Sequence, residues 1–133
     1  MLFREIIKIE TKKGISTENI TKKVKDVIFK SDIDEGLCNI YFMGEKGGLK
    51  LMENERMMLE DLKRMLKDFA PEDKMYQRPK DSFAYLRASF MEKELTIPIS
   101  NRKLILDDWA YILFWEFSEN KKEREIIITI HGE

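Results

Sequence analysis

The chain has 133 residues and a mass of 15.9 kDa, the size of one ordinary domain. Its 24 basic and 25 acidic residues give a net charge of −1, so composition offers no basic surface for nucleic acid or an anionic membrane. Apolar runs fall far short of the ~20 residues that cross a bilayer, and no signal peptide is visible at the start.

One cysteine excludes an internal disulfide and, beside a single histidine, leaves little for a soft-metal site. We therefore expect one cytoplasmic domain over residues 1–133 with no metal or other cofactor, and with no nucleic-acid or membrane partner. The composition is rich in Lys, Glu and Ile, which is typical of thermophile proteins.

The first half of the chain shows both strand and helix periodicities. Ser16 or Thr17 offers an N-cap for a first helix, and Asn54 offers one for a second helix that Pro71 ends. The patterns predict a strand over 2–11, a helix over 20–30, strands over 37–43 and 49–52 around a Gly-rich turn, and a helix over 55–69.

The second half is richer in strands. A loop marked by Pro71 and Pro79 covers 71–82, and the pattern over 83–91 fits either a helix or a strand. The strand predictions are 95–99, 104–106, 110–117 and 125–131.

The predicted strand 110–117 is apolar on both faces. Leu113 and Trp115 lie on one face with Trp109 and Tyr111, and Ile112 lies on the other. A strand of this kind is buried on both sides, so helices on one face require a second sheet or another subunit on the other. We expect an oligomer whose interface includes this sheet, and a monomer with a sandwich core remains the alternative.

Methionines at helical spacing fall in the second predicted helix. Met57, Met58 and Met65 are interpreted as core residues rather than a binding surface, since methionine fills irregular gaps in cores. Cys38 lies in an apolar strand and is interpreted as a small buried hydrophobe. His131, two residues from the end, is interpreted as an exposed or interface residue of the last strand. The adjacent acids Asp107 and Asp108 fit a turn better than a cation site, because neighbouring strand residues point to opposite faces.

A series of short motifs recurs in one order along nearly the whole chain. Each motif is weak alone, and their order and spacing carry the resemblance. The motifs are Glu53-Asn54, Asp61-Leu62, Ala70-Pro71-Glu72-Asp73 with Tyr76, Leu86-Arg87-Ala88-Ser89, Leu95-Thr96-Ile97-Pro98-Ile99, Leu104 with Leu106, Trp109, Ile112, Glu116-Phe117, Arg124 and Gly132-Glu133.

With these motifs the chain resembles the YjbQ-like family, which is also described as a family of secondary thiamine-phosphate synthases. The resemblance implies an α+β fold in which antiparallel β-sheets form a sandwich-like layer with two main helices. It also implies a homotrimer and a cluster of histidines at a subunit boundary, often holding a metal.

The histidine pattern of the family is missing here. The family histidines are replaced by Gly44, Arg78, Phe83 and Tyr85, whereas Glu53 matches a family glutamate. Phenylalanine neither titrates nor binds metal, and tyrosine is a poor base at neutral pH because its usual pKa is about 10. We therefore expect a divergent member that has lost the histidine site.

Three basic residues fall at or beside the altered site positions. If the fold gathers Lys46, Arg78 and Arg87, they form a cationic pocket for an anion such as a phosphate, and the glycines of the nearby turn let backbone amides approach it. The alternative is a set of solvated loop charges. Glu53 and Arg87 are the candidate catalytic residues, and the alternative for Glu53 is a role at the helix N-terminus.

Three functions remain open at this level. The first is a non-catalytic homotrimeric protein that binds a small phosphorylated ligand or another protein. The second is an enzyme that handles a phosphorylated small molecule through Arg78, Arg87 and Glu53 by positioning and charge. The third is retained formation of thiamine phosphate.

Overall fold

The structure is a computed structural model that describes residues 1–78 and 80–133, so Pro79 of the predicted loop lies outside the described residues. In that part of the chain, eight strands and three helices follow one another. They are β1 Leu2–Glu10, β2 Ser16–Asn19, α1 Thr21–Ser31, β3 Gly36–Met43, β4 Gly47–Met52, α2 Arg56–Phe69, α3 Ser82–Ala88, β5 Glu94–Ser100, β6 Lys103–Leu104, β7 Tyr111–Glu116 and β8 Glu123–Gly132.

The strands form two antiparallel sheets. One sheet has five strands in the order β1-β8-β3-β5-β6, and the other has three in the order β2-β7-β4. This arrangement confirms the predicted α+β fold with layered antiparallel sheets. None of the three helices in the described part of the chain is long and apolar enough to cross a membrane.

Strand β2 is an element that the sequence patterns do not predict. Residues Ser16–Asn19 pair with β7, so the expected N-cap at Ser16 or Thr17 is wrong. Helix α1 begins at Thr21, where the Asn19 side-chain oxygen accepts hydrogen bonds from the Thr21 amide at 3.1 Å and the Thr21 hydroxyl at 2.7 Å. A short polar strand therefore leads directly into the helix.

Strand β7 separates two hydrophobic cores. Ile112 and Phe114 point into a core shared with the five-stranded sheet and α1, whereas Leu113 and Trp115 point into a core shared with α2 and α3. Both faces are thus covered within one chain, and Trp115 is fully buried there. The double-sided apolar pattern therefore does not by itself require another subunit, because the five-stranded sheet and two helices of the same chain cover the two faces, and the expected oligomer stays a prediction.

The methionine side chains of α2 are exposed rather than buried. The exposed fractions are 62% for Met57, 47% for Met58 and 66% for Met65, so their interpretation as core residues is wrong. Only Leu66 is fully buried among the helix residues. The helix lies at the rim of the second core and turns one apolar flank outward.

Candidate functional site

The turn between β3 and β4 positions the first basic residue. Lys46 has φ 62°, in the left-handed region, and its carbonyl oxygen accepts a hydrogen bond of 2.9 Å from the Phe117 amide. Its ammonium nitrogen lies 3.0 Å from Oδ2 of Asp81, the residue immediately before α3. This ion pair joins the hairpin turn to the start of the helix.

Tyr85 is the aromatic centre of the site. The guanidinium carbon of Arg78 lies 4.2 Å from the Tyr85 ring centroid, and the Lys46 ammonium lies 5.4 Å from the same centroid. Both distances are within the range of a cation–π interaction. The structure therefore brings two of the three predicted ligand-binding residues, Lys46 and Arg78, to one ring.

Electrostatics keep these groups in their usual ionic forms at neutral pH. The hydrogen bond to Asp81 raises the pKa of Lys46, and the same bond lowers the pKa of Asp81. A hydrogen bond with Glu45 is the largest cause that raises the pKa of Tyr85, because a nearby carboxylate stabilises the protonated phenol. The site thus presents cations and a neutral phenol.

A cavity of about 410 Å³ opens beside the ring. Its lining consists of Tyr76, Gln77, Arg78, Ser82, Tyr85 and Leu86. The Ser82 hydroxyl donates a hydrogen bond to the Arg78 carbonyl, and the Tyr76 hydroxyl donates one of 2.6 Å to the Pro71 carbonyl. These bonds hold the loop that forms the cavity wall, which combines aromatic surface with one guanidinium.

Arg87, the third predicted cation, lies in a different environment. It is 3% exposed, and its Nε donates a 3.0 Å hydrogen bond to the carbonyl of Ala70 at the end of α2. Its guanidinium also lies 4.9 Å from the Phe83 ring centroid and 3.8 Å from a Glu72 oxygen. Arg87 therefore links the helices, and its role with a ligand or in catalysis stays a prediction.

Glu53, the other catalytic candidate, lies exposed between β4 and α2. The N-cap of α2 is neither Glu53 nor the predicted Asn54. The Glu55 carboxylate accepts hydrogen bonds from the amides of Met57 at 2.8 Å and Met58 at 3.0 Å. These bonds lower the pKa of Glu55, the Met57 bond most, and they leave Glu53 without a role in the cap.

Two of the four positions at which the resemblance predicts replaced histidines, Gly44 and Phe83, are closely packed. Phe83 is 7% exposed and belongs to the second core. A Cβ atom on Gly44 would lie 2.8 Å from the Phe42 ring and 3.3 Å from an Arg124 nitrogen. Within the described residues, no group of three or more His, Cys, Asp or Glu side chains gathers as metal ligands would.

The remaining histidine and cysteine lie in the five-stranded sheet. His131 is exposed and pairs with Leu2 of β1 and Leu37 of β3. Cys38 is buried on β3, and burial raises the pKa of its thiol to about 12. The thiol is thus protonated at neutral pH and unsuited to nucleophilic chemistry.

A buried ion pair between the two sheets is the feature that sequence reasoning missed. Arg124 of β8 donates to both carboxylate oxygens of Glu116 of β7, at 2.7 and 2.6 Å, and the Thr11 hydroxyl donates to the same carboxylate at 2.7 Å. Glu116 has no exposed surface and also accepts from the Ser118 amide. The sequence signal that could have predicted this pair is a charged residue, Glu116, at the end of an otherwise apolar strand.

This fold and the composition of the site can be compared with those of known proteins. The family model described as "UPF0047 protein YjbQ-like" matches residues 5–133, so the chain belongs to the YjbQ-like (UPF0047) family. A UPF0047 protein of Synechocystis is 29% identical over 98% of this chain and 92% of its own length. One of Methanothermobacter thermautotrophicus is 25% identical over 98% and 93%.

Solved structures show the same fold. A YbjQ-like protein of unknown function from Sulfolobus solfataricus has a TM-score of 0.88 at 25% identity and covers 100% of both chains. A hypothetical protein from Aeropyrum pernix has a TM-score of 0.90 at 19% identity, over 98% of this chain and 99% of its own. The latter comparison concerns the fold alone.

Proposed function

We propose that this protein binds a small phosphorylated molecule in the cavity beside Tyr85 and that it acts as a binding protein rather than an enzyme. The observation that carries this proposal is the convergence of two cations on the Tyr85 ring, Arg78 in the lining of the cavity and Lys46 outside that lining. A phosphate is the anion that a guanidinium recognises best, through paired hydrogen bonds.

Stacking on Tyr85 prepares Arg78 for this task. A guanidinium held against a ring loses little freedom when it binds a ligand. Lys46 is held by Asp81 and adds positive charge beside the Tyr85 ring. Tyr76 and Leu86 supply the apolar wall against which the organic part of the ligand packs.

A binding role fits the proton chemistry of the cavity. Tyr85 has a pKa above its ordinary value, so it stays protonated and does not serve as a base at neutral pH. Arg87 and Glu53, the residues on which an enzymatic role rests, contribute nothing to the lining of the cavity in the described chain. The groups that do line the cavity supply a positive charge and an apolar surface, which suit binding.

Titration with phenyl phosphate, followed by calorimetry, tests the proposal. We expect saturable binding that Arg78→Gln weakens at least about tenfold, since charge-assisted hydrogen bonds to phosphate are lost. Arg102→Gln is the matched control, because Arg102 also lies over an aromatic ring, 5.7 Å from the Phe29 centroid, away from the cavity. Absence of binding, or equal loss in both variants, would contradict the proposal.

An activity assay separates binding from catalysis. The pyrimidine pyrophosphate and thiazole phosphate precursors are mixed with magnesium, with and without the protein. We expect no thiamine phosphate above background. Product that falls in Arg87→Ala or Glu53→Ala would instead establish the enzymatic alternative, with those residues in catalysis.

We also propose the homotrimer that the family resemblance implies. Its support in this chain is an exposed aromatic end of the three-stranded sheet, where Trp109 is 55% and Tyr111 39% exposed, together with the outward methionines of α2. Light scattering should give three times the chain mass of 15.9 kDa. Trp109→Ser is expected to weaken the assembly, and a monomer in the unmodified protein would refute it.

A further inference from the structure

Strand β1 is the last strand of the five-stranded sheet, and its outer edge has no partner strand in residues 1–78 and 80–133. The main chains of Met1 and Gly132 exchange two hydrogen bonds, and the Thr11 amide donates to the Lys122 carbonyl. In an antiparallel ladder such pairs alternate, so the odd-numbered residues bond to β8. The amides and carbonyls of Leu2, Arg4, Ile6 and Lys8 therefore face outward.

Helix α1 runs beside this open edge and forms a groove with it. The groove has a volume of about 270 Å³, and its lining combines three lysines with two acids: Glu5, Ile6, Ile7 and Lys8 from β1, and Lys23, Asp26, Val27 and Lys30 from α1. On the helix, Lys23, Val27 and Lys30 lie four and three positions apart and therefore share one face. A groove between an edge strand and a helix is the geometry in which extended peptides add a strand to a sheet.

The charges of Arg4 and Lys8 distinguish two candidate occupants of the groove: β1 of a second copy and a strand of a partner protein. Full-length antiparallel pairing of β1 with β1 of a second copy, centred on Ile6, would place Arg4 of each copy against Lys8 of the other. Like charges directly opposite each other destabilise such a pair. A strand with acidic residues at the same two positions would instead form opposite-charge pairs.

We propose that the open edge of β1 and the groove beside α1 bind an extended acidic segment of a partner protein by strand addition. Main-chain hydrogen bonds to Arg4, Ile6 and Lys8 supply the affinity. Acidic side chains opposite Arg4 and Lys8, with an apolar residue against the half-exposed Ile6, supply the specificity. On the side of the helix, Lys30 lies 3.4 Å from Glu5, and Lys23 shares the groove with Asp26, so the positive charge that selects the partner comes from Arg4 and Lys8.

A synthetic peptide of alternating character is the probe. Labelled acetyl-Thr-Glu-Thr-Val-Thr-Glu-Thr-amide, whose glutamates lie four positions apart on one face with valine between them, is titrated at low ionic strength, with the peptide that carries lysines in place of its glutamates as the comparison. We expect binding of the glutamate peptide and at least tenfold weaker binding of the lysine peptide. Hydrogen exchange should slow at the Ile6 and Lys8 amides on binding and stay unchanged at Ile7, which already bonds to β8.

Two variants test strand addition at β1, and a third variant on α1 is the control. Ile6→Pro removes an outward donor at a position where an edge strand tolerates proline, and it should weaken binding at least about tenfold. Arg4→Glu with Lys8→Glu should reverse the preference between the two peptides, whereas Lys22→Glu on the exposed part of α1 should change little. Thermal melting checks that each variant folds.

Three outcomes would overturn the inference. One is no binding of the glutamate peptide, and another is binding that Ile6→Pro and the charge reversal both leave intact. The third is protection of the outward amides in the free protein that rises with its concentration, which would assign the edge to a second copy. A failure here leaves the phosphate cavity untouched, because the two sites share no residue.

Discussion

Lys46 and Asp81 form an ion pair in which both partners have a left-handed backbone, with φ 62° and 59° and 3.0 Å between charged atoms. Such a conformation costs a non-glycine residue about 1–2 kcal/mol. The conformation persists because other contacts fix the backbone there. The Lys46 carbonyl accepts a hydrogen bond from the Phe117 amide, and Asp81 directly precedes the first turn of α3. The pair thereby joins the turn to the start of α3, which forms part of the cavity wall.

Asp81→Asn tests this pair without disturbing the backbone, since asparagine adopts the left-handed conformation readily. The pKa of Asp81 lies below its ordinary value of 3.8, so its stabilising effect is present above that pH and disappears as pH falls through the lowered pKa. We expect the variant to melt below the unmodified protein at pH 7 and the gap to close as the pH falls below 3.8 and through the lowered pKa. Asp108→Asn, at an exposed position, is the control and should show no gap.

The same substitution should affect ligand binding in the opposite direction. Loss of the Asp81 charge releases Lys46 from its ion pair beside the Tyr85 ring and removes an acid that would repel phosphate. We expect phenyl phosphate to bind about two- to fivefold more tightly to Asp81→Asn. This change in affinity corresponds to the free energy that a partly exposed ion pair contributes. Weaker binding would show that Lys46 must be held by Asp81 to act.

Tyr85 should titrate later than an ordinary phenol. The hydrogen bond with Glu45 raises its pKa above 10.0, as does the negative charge of that carboxylate. In an absorbance titration near 295 nm, Tyr85→Phe should remove a late-titrating phenol, and Glu45→Gln should move that phenol toward its ordinary pKa. An unchanged curve in both variants would contradict the Glu45–Tyr85 interaction.

The buried pair of Glu116 and Arg124 should be costly to break. Glu116→Gln leaves the Arg124 guanidinium without a counter-charge between two sheets, and loss of one partner of a buried pair costs about 3–5 kcal/mol. Urea denaturation should show a drop of that size in the free energy of unfolding. Glu119→Gln, at an exposed position three residues away, should change it by less than about 0.5 kcal/mol.

Cys38 should be inert in the folded protein. Its thiol is buried and has a pKa of about 12, so little thiolate exists at pH 8 and none is accessible. A disulfide reagent should react with the native protein at least about 100-fold more slowly than with protein unfolded in guanidinium chloride. Rapid native reaction would mean that β3 opens locally.

Much of the fold follows from local sequence pattern. Alternating apolar residues predicted strands at β1, β3, β7 and β8, and the helical spacing from Ile20 to Ile28 predicted α1. The polar strand β2 escaped detection because its residues show no apolar alternation, and only pairing with β7 makes them a strand. The helix α3 was ambiguous because seven residues are too few for periodicity to decide.

The candidate site was predictable in part. The sequence offered Lys46, Arg78 and Arg87 as one cationic pocket or as solvated loop charges, and the structure brings Lys46 and Arg78 to Tyr85. Helix α3 turns Arg87 toward the end of α2, where Ala70 accepts its hydrogen bond. A residue two positions along a helix from Tyr85 points about 200° away from it, and sequence alone does not say which direction faces the cavity.

The sequence by itself determined which segments are apolar and which family the chain belongs to. Only the tertiary structure decided what covers each apolar face: a second sheet for β7, and solvent for Met57, Met58 and Met65. The physical reason is that periodicity reports the chemistry of a face, whereas its partner is chosen by packing between segments far apart in the chain. The Glu116–Arg124 pair and the open edge of β1 likewise exist only once the two sheets have assembled.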